Sequence, residues 1–532
     1  MAGGGTTVKT PKITTTLLVA GVLLAPLLAL LYLVNQLTGL PFPPFALFEW
    51  LVRVLPGPVV TFGIEALTGA LTALGASVPD TAKFAEQGMA VGLFVVLALA
   101  LAGLWAVLRA RLPGETRVSG LWLGAALGLL IAVPVLLGRG DVPGAAWALV
   151  VFLGWGLLVG VTLRRVFAPP ASDVTVDESR RRFLITLAGA SAAVTVAGAG
   201  LSAVLNRRGW GAVAGSDGFS PRAGGPLPEA DLEPAPGTRP EYTLPEDHYY
   251  VDLNMLPPFI DGDTWELLIT GMVDREITLT LADFYEERLG EPVEEIITLT
   301  CISNRVGGRL IGTTRWTGIP LRRVLNQAGV QEGARFVRVI SADNYYEMIP
   351  LDAVMEEELI MLTYLWNGEP LNVGHGYPVR MAVPGRYGMK QPKWIVRIEV
   401  TDEEDPGFWG QRGWEPNAPI KTTSVIDTVA VDSMYEDRGQ MMIPIGGIAY
   451  AGARGISRVE VRVDDGEWQP ARLRRPLSDL TWVIWRYDWP FDPGEHTFSV
   501  RAWDGTGEPQ IVEESRPHPS GATGIHSVEV SL

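Results

Sequence analysis

The sequence predicts a multidomain chain: an N-terminal all-α region that spans a membrane, then a mixed α+β domain, then a β-sandwich. The apolar residues crowd into roughly the first 205 positions, and most acidic residues lie beyond residue 226. Short alternating segments separated by Gly, Asp and Pro become frequent after about residue 424, which is typical of an antiparallel sandwich. With 532 residues the chain is too long for one domain. We expect an anchor at 1–205, a linker at 206–245, a mixed domain at 246–415 and a β-sandwich at 416–532.

Apolar segments in the N-terminal region approach or exceed the roughly 20 residues that cross a bilayer. The five candidates are Thr16–Leu37, Gly88–Leu108, Val118–Leu137, Ala145–Leu163 and Phe183–Leu205. Residues 41–75 are also apolar, but several prolines and Arg53 interrupt them. This segment therefore predicts interfacial or re-entrant helices.

The basic residues between these segments predict how they are oriented, because Lys and Arg favour the cytoplasmic side. The residues that set the prediction are Lys9, Lys12, Arg109, Arg111, Arg117, Arg164, Arg165 and Arg180–Arg182. They place the N-terminus in the cytoplasm. Five spans then place everything after Leu205 outside.

The segment Ser179–Leu184 reads Ser-Arg-Arg-Arg-Phe-Leu and precedes a span rich in Ala and Gly. This order of residue types is typical of a twin-arginine export signal, here internal. The alternative is a positive-inside anchor with a coincidental sequence. Twin-arginine export moves folded domains, which is useful when a cofactor must be inserted before export.

Charge and histidine positions exclude two classes of partner. The net charge of -16 and pI of about 4.9 argue against a nucleic-acid partner, which requires a basic face. All five histidines lie outside the predicted spans, which excludes a bis-histidine haem in the membrane.

In the mixed region, alternation predicts strands at Trp265–Thr270, Phe336–Ile340 and Tyr345–Ile349. Thr280 and Asp283 predict a capped helix start, with the helix ending near Gly290. A second helix is predicted from Pro320 to Gly329. In the sandwich, Trp482, Trp485 and Trp489 are expected to pack in the core.

Cys301 is the only cysteine of the chain and lies at the end of an alternating run. It is either a buried small hydrophobe or a reactive or metal-ligating sulfur. Polar segments that could meet it contain Asn304, Arg315, Tyr345, His375, Arg380, Lys390 and Lys393. Gly and Pro in these segments let a backbone approach a ligand closely, and Arg and Lys are natural partners of a phosphate.

These segments, in this order, resemble the sulfite oxidase family of molybdopterin oxidoreductases. The resemblance covers about residues 247–532, because Gly447–Tyr450 and Gly455–Val461 are similar to the opening strands of the family's dimerisation domain. It implies a sulfite-oxidase-type molybdopterin-binding domain followed by an immunoglobulin-like β-sandwich, and a homodimer.

The resemblance also implies roles for individual residues. Cys301 would be the catalytic thiolate on molybdenum, and Tyr345 would hydrogen-bond an oxygen ligand of the metal, with Tyr346 as its rival. The residues implied to hold the pterin and its phosphate are Asn304, His375, Arg380, Lys390 and Lys393. Arg315 matches the arginine of the family's Arg-Trp-x-Gly segment.

The function implied is two-electron oxygen-atom transfer on a small S- or N-centred substrate, by sulfite oxidation or by reduction of a sulfoxide or N-oxide. Val251 and Val306 stand where sulfite-oxidising members have arginines, so sulfite is not favoured over a neutral oxide. No haem is expected in this chain, so electrons would pass through a separate cytochrome or a quinone. The alternatives are a non-enzymatic, membrane-anchored binding protein that keeps the fold and a Cys-His hydrolase that pairs Cys301 with His375.

Overall fold

The computed structural model describes residues 13–73, 78–109, 116–139, 141–167, 176–209, 227–258 and 260–532. Lys9, Lys12 and Arg111 lie outside these ranges. The chain divides into a helical unit (Met1–Pro56, Phe62–Ala212 and Leu253–Leu256) and a second unit (Gly57–Thr61, Val213–Asp252 and Pro257–Leu532).

The described part of residues 13–209 is helical. Its helices are α1 (Ile13–Thr38), α2 (Pro43–Val54), α3 (Gly57–Ala73), α4 (Val78–Leu108), α5 (Thr116–Arg139), α6 (Val142–Phe167) and α7 (Val176–Gly209). Five stretches are long and apolar enough to cross a membrane, namely Ile13–Thr38, Lys83–Leu108, Ser119–Gly138, Val142–Val166 and Arg181–Ser202. They coincide with the five predicted spans. The described part of the interrupted segment, 41–73, contains α2 and α3, and its placement at a membrane surface stays a prediction.

Helices α5 and α6 pack backbone against backbone through glycines. A Cβ at Gly124 would lie 2.3 Å from the Phe152 carbonyl oxygen, and one at Gly156 would lie 2.3 Å from the Gly120 carbonyl oxygen. Small residues are the usual means by which membrane helices approach this closely.

Residues 253–256 are part of the helical unit. Met255 is buried among the helices, its N–H donates to Glu49 Oε1 (3.0 Å), and its carbonyl accepts from Gln87 Nε2 (2.8 Å). These bonds satisfy the main chain of Met255 where water is excluded.

The second unit begins with a mixed domain of two sheets. Its elements are β1 (Glu266–Gly271), β2 (Ile277–Thr280), α8 (Leu281–Tyr285), β3 (Val293–Thr300), β4 (Ile311–Pro320), α9 (Leu321–Ala328), β5 (Phe336–Ser341), β6 (Tyr346–Pro350), α10 (Leu351–Glu356), β7 (Met361–Trp366), β8 (Glu369–Pro370), β9 (Arg380–Ala382), β10 (Ile395–Thr401) and α11 (Gly407–Gly410). The sheet orders are β2-β1-β10-β5-β6 and β3-β4-β7-β8, and β9 also pairs with β7. Only β1 and β10 run parallel within these sheets, so the described domain is α+β, as predicted.

The two helix predictions in this domain had different outcomes. Helix α9 buries Leu321, Val324, Leu325 and Ala328, and it ends at Gly329 with a φ of 74°, as predicted. The start of α8 is also correct, since the Thr280 N–H donates to Asp283 Oδ2 (2.7 Å). The predicted end near Gly290 is wrong: α8 stops at Tyr285, because Glu287 adopts a φ of 56°, which no helix accommodates.

The chain then forms a sandwich of two antiparallel sheets. Its strands are β11 (Thr423–Val429), β12 (Tyr435–Asp437), β13 (Gln440–Tyr450), β14 (Ile456–Val463), β15 (Gln469–Pro470), β16 (Arg472–Leu473), β17 (Val483–Pro490), β18 (Glu495–Asp504) and β19 (His526–Ser531). The sheets have the orders β11-β13-β17-β16, with β12 on β13, and β15-β14-β18-β19. Side chains of both sheets share one core. Trp485 and Trp489 pack in this core, as predicted, whereas Trp482 is buried in a second cluster with Ile302, Ile311 and Tyr387 of the mixed domain.

Strand β3 is hydrogen-bonded on both sides. One edge pairs with β4. On the other, the Thr298 N–H donates to the Leu480 carbonyl (3.1 Å), and the Thr298 carbonyl accepts from Tyr450 Oη (2.7 Å). The sandwich residues thus fix β3, which ends at the residue before Cys301.

Candidate functional site

Cys301 opens a loop that closes on itself. Its N–H donates to the Leu310 carbonyl, and its own carbonyl accepts from the Asn304 N–H, each at 3.0 Å. The Asn304 side chain completes the closure, because its Oδ1 accepts from the Leu310 N–H at 3.0 Å. Asn304, predicted to contact a cofactor, therefore also shapes the loop that carries the thiol.

The Cys301 thiol is partly buried and lies 3.0 Å from Ser303 Oγ. Burial raises the pKa of this thiol, and its hydrogen bonds to Ser303 oppose that effect. Burial is the main cause that raises the pKa of Tyr249, Tyr345 and Tyr387, in the case of Tyr387 to about 12. The charge of Cys301 contributes to the increase in all three. Three tyrosines therefore lie within electrostatic reach of the sulfur.

An aromatic cluster surrounds His375. Its ring centroid lies 4.4 Å from that of Trp366 and 5.5 Å from that of His248. Burial lowers the pKa of His375 well below its usual value and that of His248 to about 4. Both imidazoles are thus neutral at pH 7. His248 fits against β4 because Gly312 has no side chain: a Cβ there would lie 2.7 Å from His248 Cδ2.

Arg380 joins this cluster from β9. Its guanidinium lies 4.9 Å from the ring centroid of Trp316, and its Nη1 donates to the His375 carbonyl (3.1 Å). The side chain is buried, and burial lowers its pKa to about 10. The structure therefore brings the predicted residues His375 and Arg380 into direct contact.

The two predicted lysines are each paired with a carboxylate of this chain. Lys390 is buried, and its Nζ lies 2.6 Å from Glu347 Oε2. Lys393 Nζ lies 3.6 Å from Asp252 Oδ2 and donates to the Gly374 carbonyl (3.0 Å). Lys393 is thereby fixed beside His375, and much of the charge of both lysines is balanced.

Tyr345 and Tyr346 point to different surroundings. The Tyr345 hydroxyl lies 2.8 Å from Glu347 Oε1 and 2.6 Å from the Met389 carbonyl oxygen. The Tyr346 hydroxyl lies 3.3 Å from Asp405 Oδ1. Tyr345 thus hydrogen-bonds the carboxylate that pairs with Lys390, another predicted site residue, whereas Tyr346 contacts Asp405, and Tyr345 remains the predicted catalytic tyrosine.

Arg315 lies in β4 and is buried. Its Nε is 3.4 Å from Glu294 Oε1 on the neighbouring strand, and its main-chain N–H donates to Tyr242 Oη (3.1 Å). Arg315 thus ties β3 to β4 beside Trp316, the ring on which Arg380 packs.

Sequence reasoning did not identify five residues of this region: His248, Tyr249, Asp252, Ser303 and Glu347. A signal existed for Glu347, because an acidic residue directly before Met348-Ile349 in a buried strand is unusual. For Asp252 no local signal existed, because its partner Lys393 is distant in the chain, whereas Ser303 lies two residues from Cys301 and could have been found from that spacing.

Two features of the site suit an anionic, phosphate-bearing cofactor. In the described ranges, buried Arg380 has no carboxylate within ion-pairing distance, and the buried His248 Nε2 has no hydrogen-bond partner. A buried cation and a buried ring nitrogen both require a polar partner. Together with the soft sulfur donor of Cys301, this donor set fits a molybdopterin group.

Comparison with protein families gives two matches. Residues 254–409 match the oxidoreductase molybdopterin binding domain, and residues 416–514 match the Mo-co oxidoreductase dimerisation domain. The chain is 31% identical to human mitochondrial sulfite oxidase over 316 residues, covering 51% of this chain and 57% of that protein. These matches indicate that residues 254–514 carry the two domains of a sulfite-oxidase-type molybdopterin oxidoreductase.

Two further proteins are similar to this chain at lower identity. Nitrate reductase [NADH] 2 of Phaseolus vulgaris is 29% identical over 325 residues, covering 49% of this chain and 36% of that protein. The crystal structure of the sulfane dehydrogenase SoxCD from Paracoccus pantotrophus matches with a TM-score of 0.45 and 22% identity, covering 52% of this chain and 78% of that one. The chain thus spans about half or less of the length of these sulfite oxidase and nitrate reductase relatives.

The raised pKa of Cys301 predicts the pH dependence of its alkylation. Only the thiolate reacts with iodoacetamide. A raised pKa of Cys301 therefore moves the half-maximal labelling rate to a higher pH than for an ordinary thiol, whose pKa is about 8.5. The measurement is the rate of iodoacetamide labelling of metal-free protein between pH 6 and about 10.5, the range that brackets that value. The denatured chain is the control, because Cys301 is its only thiol. A folded protein that labels at lower pH than the denatured chain would contradict this account.

Proposed function

We propose that this protein is a membrane-anchored, extracytoplasmic molybdenum oxidoreductase that transfers an oxygen atom to or from a small S- or N-centred substrate. The observation that carries the proposal is the chain's only thiol, Cys301, held by a closed loop in a molybdopterin-binding domain. The bound group would supply the two-electron redox chemistry. The polypeptide supplies its position and the surrounding charges.

The chain's own residues divide this work. Cys301 would bind the metal as a thiolate, a soft ligand that suits molybdenum. The pterin and its phosphate would be held by Arg380, His375 and Lys393, since Arg380 donates to the His375 carbonyl and Lys393 donates to the Gly374 carbonyl beside it. Asn304 would shape the loop beside them, and Arg315 would shape the strand. Tyr345 would contact the oxygen that is transferred.

A hydrolase mechanism is less well supported. It requires a histidine within hydrogen-bond reach of the thiol. Among the described residues the hydrogen bond of Cys301 Sγ is to Ser303 Oγ, and the His375 ring packs on Trp366 instead. A non-enzymatic binding protein is the remaining alternative, and it makes no use of the thiol.

The charges near the site favour an uncharged substrate over sulfite. Lys390 and Lys393 are already paired with Glu347 and Asp252, and Val306 replaces the arginine of sulfite-oxidising relatives. A doubly charged anion gains less in such surroundings than in a pocket with free cations. We therefore favour a sulfoxide or an N-oxide.

The C-terminal sandwich supports a homodimer of immunoglobulin-like, dimerisation-type domains, since residues 416–514 match the Mo-co oxidoreductase dimerisation domain. Electrons would be exchanged with a separate cytochrome or a quinone. The five apolar helices and the arginines before the last of them support a membrane anchor whose catalytic domain is exported by the twin-arginine route.

Metal content tests the proposal directly. Wild-type protein from cells that make molybdopterin should contain about one molybdenum per chain, as required if a single thiolate binds the cofactor. Cys301→Ser should lose oxygen-atom transfer, because a hydroxyl is a poor ligand for a soft metal. Elemental analysis and a viologen-linked assay are the measurements, with wild-type protein from molybdopterin-deficient cells as the control. Molybdenum-free protein from competent cells would refute the proposal.

The substrate class is tested by comparing kcat/KM for a dialkyl sulfoxide, an amine N-oxide and sulfite. The wild type should prefer an uncharged oxide. Val306→Arg should raise kcat/KM for sulfite about tenfold, because a hydrogen bond to a charged group is worth about 1.5 kcal/mol. Val306→Met, which adds bulk without charge, is the control. A wild type that prefers sulfite, or an unchanged value in Val306→Arg, would contradict the charge argument.

Export is tested by protease treatment of spheroplasts that contain the chain with a C-terminal epitope. The epitope should be digested in the wild type and protected in Arg180→Lys/Arg181→Lys, because a twin-arginine receptor distinguishes Arg from Lys. Arg164→Lys/Arg165→Lys, which makes the same change before another span, should be digested. Digestion of both variants would instead favour the positive-inside anchor.

A further inference from the structure

Glu347 is a fully buried acid that the proposed function does not use. Its side chain lies on β6 with 0% exposure. A buried carboxylate is costly unless it is paired and hydrogen-bonded. Glu347 meets both conditions, because Lys390 Nζ lies 2.6 Å from Oε2 and Tyr345 Oη lies 2.8 Å from Oε1.

The space for this carboxylate is left by a glycine. Gly407 adopts a φ of 81°, and a Cβ at that position would lie 2.3 Å from Glu347 Oε2. The next residue, Phe408, packs its ring 5.3 Å from that of Tyr345. The segment 407–408 therefore holds both Glu347 and Tyr345 in place.

The hydrogen bonds of Tyr345 determine what else its hydroxyl can do. A phenol has one proton and two lone pairs. That proton is directed to Glu347 Oε1 or to the Met389 carbonyl oxygen, which lie 2.8 and 2.6 Å away. Any further hydrogen bond of Tyr345 is therefore one that its oxygen accepts.

We propose that Glu347, held by Lys390, is a positioning residue that fixes the Tyr345 hydroxyl as a hydrogen-bond acceptor toward the centre bound at Cys301. The proposal rests on the proposed function, because it assumes that a metal centre is bound there. It adds that the buried pair of Glu347 and Lys390 orients the tyrosine. Glu347 acts through Tyr345 and does not itself touch the substrate.

The isosteric variant Glu347→Gln reverses one hydrogen bond. Its carboxamide oxygen would face the Lys390 ammonium, because the alternative places two donors together. The amide NH₂ group then donates to Tyr345 Oη, so the phenol proton is directed to the Met389 carbonyl and one of the two lone pairs of the tyrosine is occupied. The shape of the site is kept, while the hydroxyl loses one acceptor position and the orientation that Glu347 imposes.

The experiment uses full-length, molybdenum-loaded protein and the variants Glu347→Gln, Tyr345→Phe and their combination. Each single variant should lower kcat by about 10- to 100-fold, the cost of a misplaced group at a reacting centre, with little change in KM. The double variant should be no slower than the slower single variant, because both remove the same contact. The Mo(V) electron paramagnetic resonance signal should change in Glu347→Gln at unchanged molybdenum content.

The chain provides matched controls. Tyr346→Phe removes the neighbouring hydroxyl, whose partner is Asp405, and Glu399→Gln neutralises an acid paired with Arg338 (3.8 Å) on the same sheet. Both should keep the wild-type kcat and resonance signal.

If Glu347→Gln fails to load molybdenum, Glu347→Asp replaces it. Aspartate keeps the charge that balances Lys390 but is one methylene shorter, so it withdraws from Tyr345. It should load the metal and show the same loss of kcat.

Wild-type kcat and signal in a loaded Glu347 variant, or losses that multiply in the double variant, would overturn the inference. Molybdenum-free wild type would instead refute the proposed function, so the two failures are distinguishable.

Discussion

The position of Cys301 depends on the main-chain hydrogen bonds along both edges of β3. One edge pairs with β4, and the other is bonded to residues of the sandwich domain, Leu480 and Tyr450. A strand fixed on two sides leaves its last residue little freedom. The closed loop from Cys301 to Leu310 then extends that rigidity to the sulfur. A metal ligand requires such positional precision.

Charge pairing is the second organising feature of the catalytic domain. Lys390 and Lys393 are balanced by Glu347 and Asp252, whereas buried Arg380 has no carboxylate partner in the described ranges. The arginine instead lies on the Trp316 ring and the His375 carbonyl. Among the described residues of the domain, Arg380 is thus a buried cation without a carboxylate partner, which makes it a candidate for binding a phosphate.

Local patterns were sufficient to predict the long apolar helices, the α+β class of the mixed domain and the β-sandwich, whereas the role of Cys301 stays a prediction. Alternation identified β3, and Gly329 marked the end of α9. The end of α8 was missed, because Glu287 adopts a positive φ and glutamate is not a residue type that favours this conformation. Glu347 and His248 were missed because their partners are distant in the sequence. Glu347 pairs with Lys390, 43 positions later (347 to 390), and His248 packs against Gly312, 64 positions later (248 to 312).

The bonding of β3 to the sandwich has a consequence for the order of events during synthesis. Trp482, whose N–H donates to Thr298 Oγ1, lies 184 residues after that threonine. While a ribosome is still translating the intervening segment, the outer edge of β3 has no partner, and the loop that begins at Cys301 has no fixed base. The support of the Cys301 loop is therefore complete only after translation of the sandwich, and a truncated chain that lacks the sandwich would expose an unpaired strand edge to aggregation.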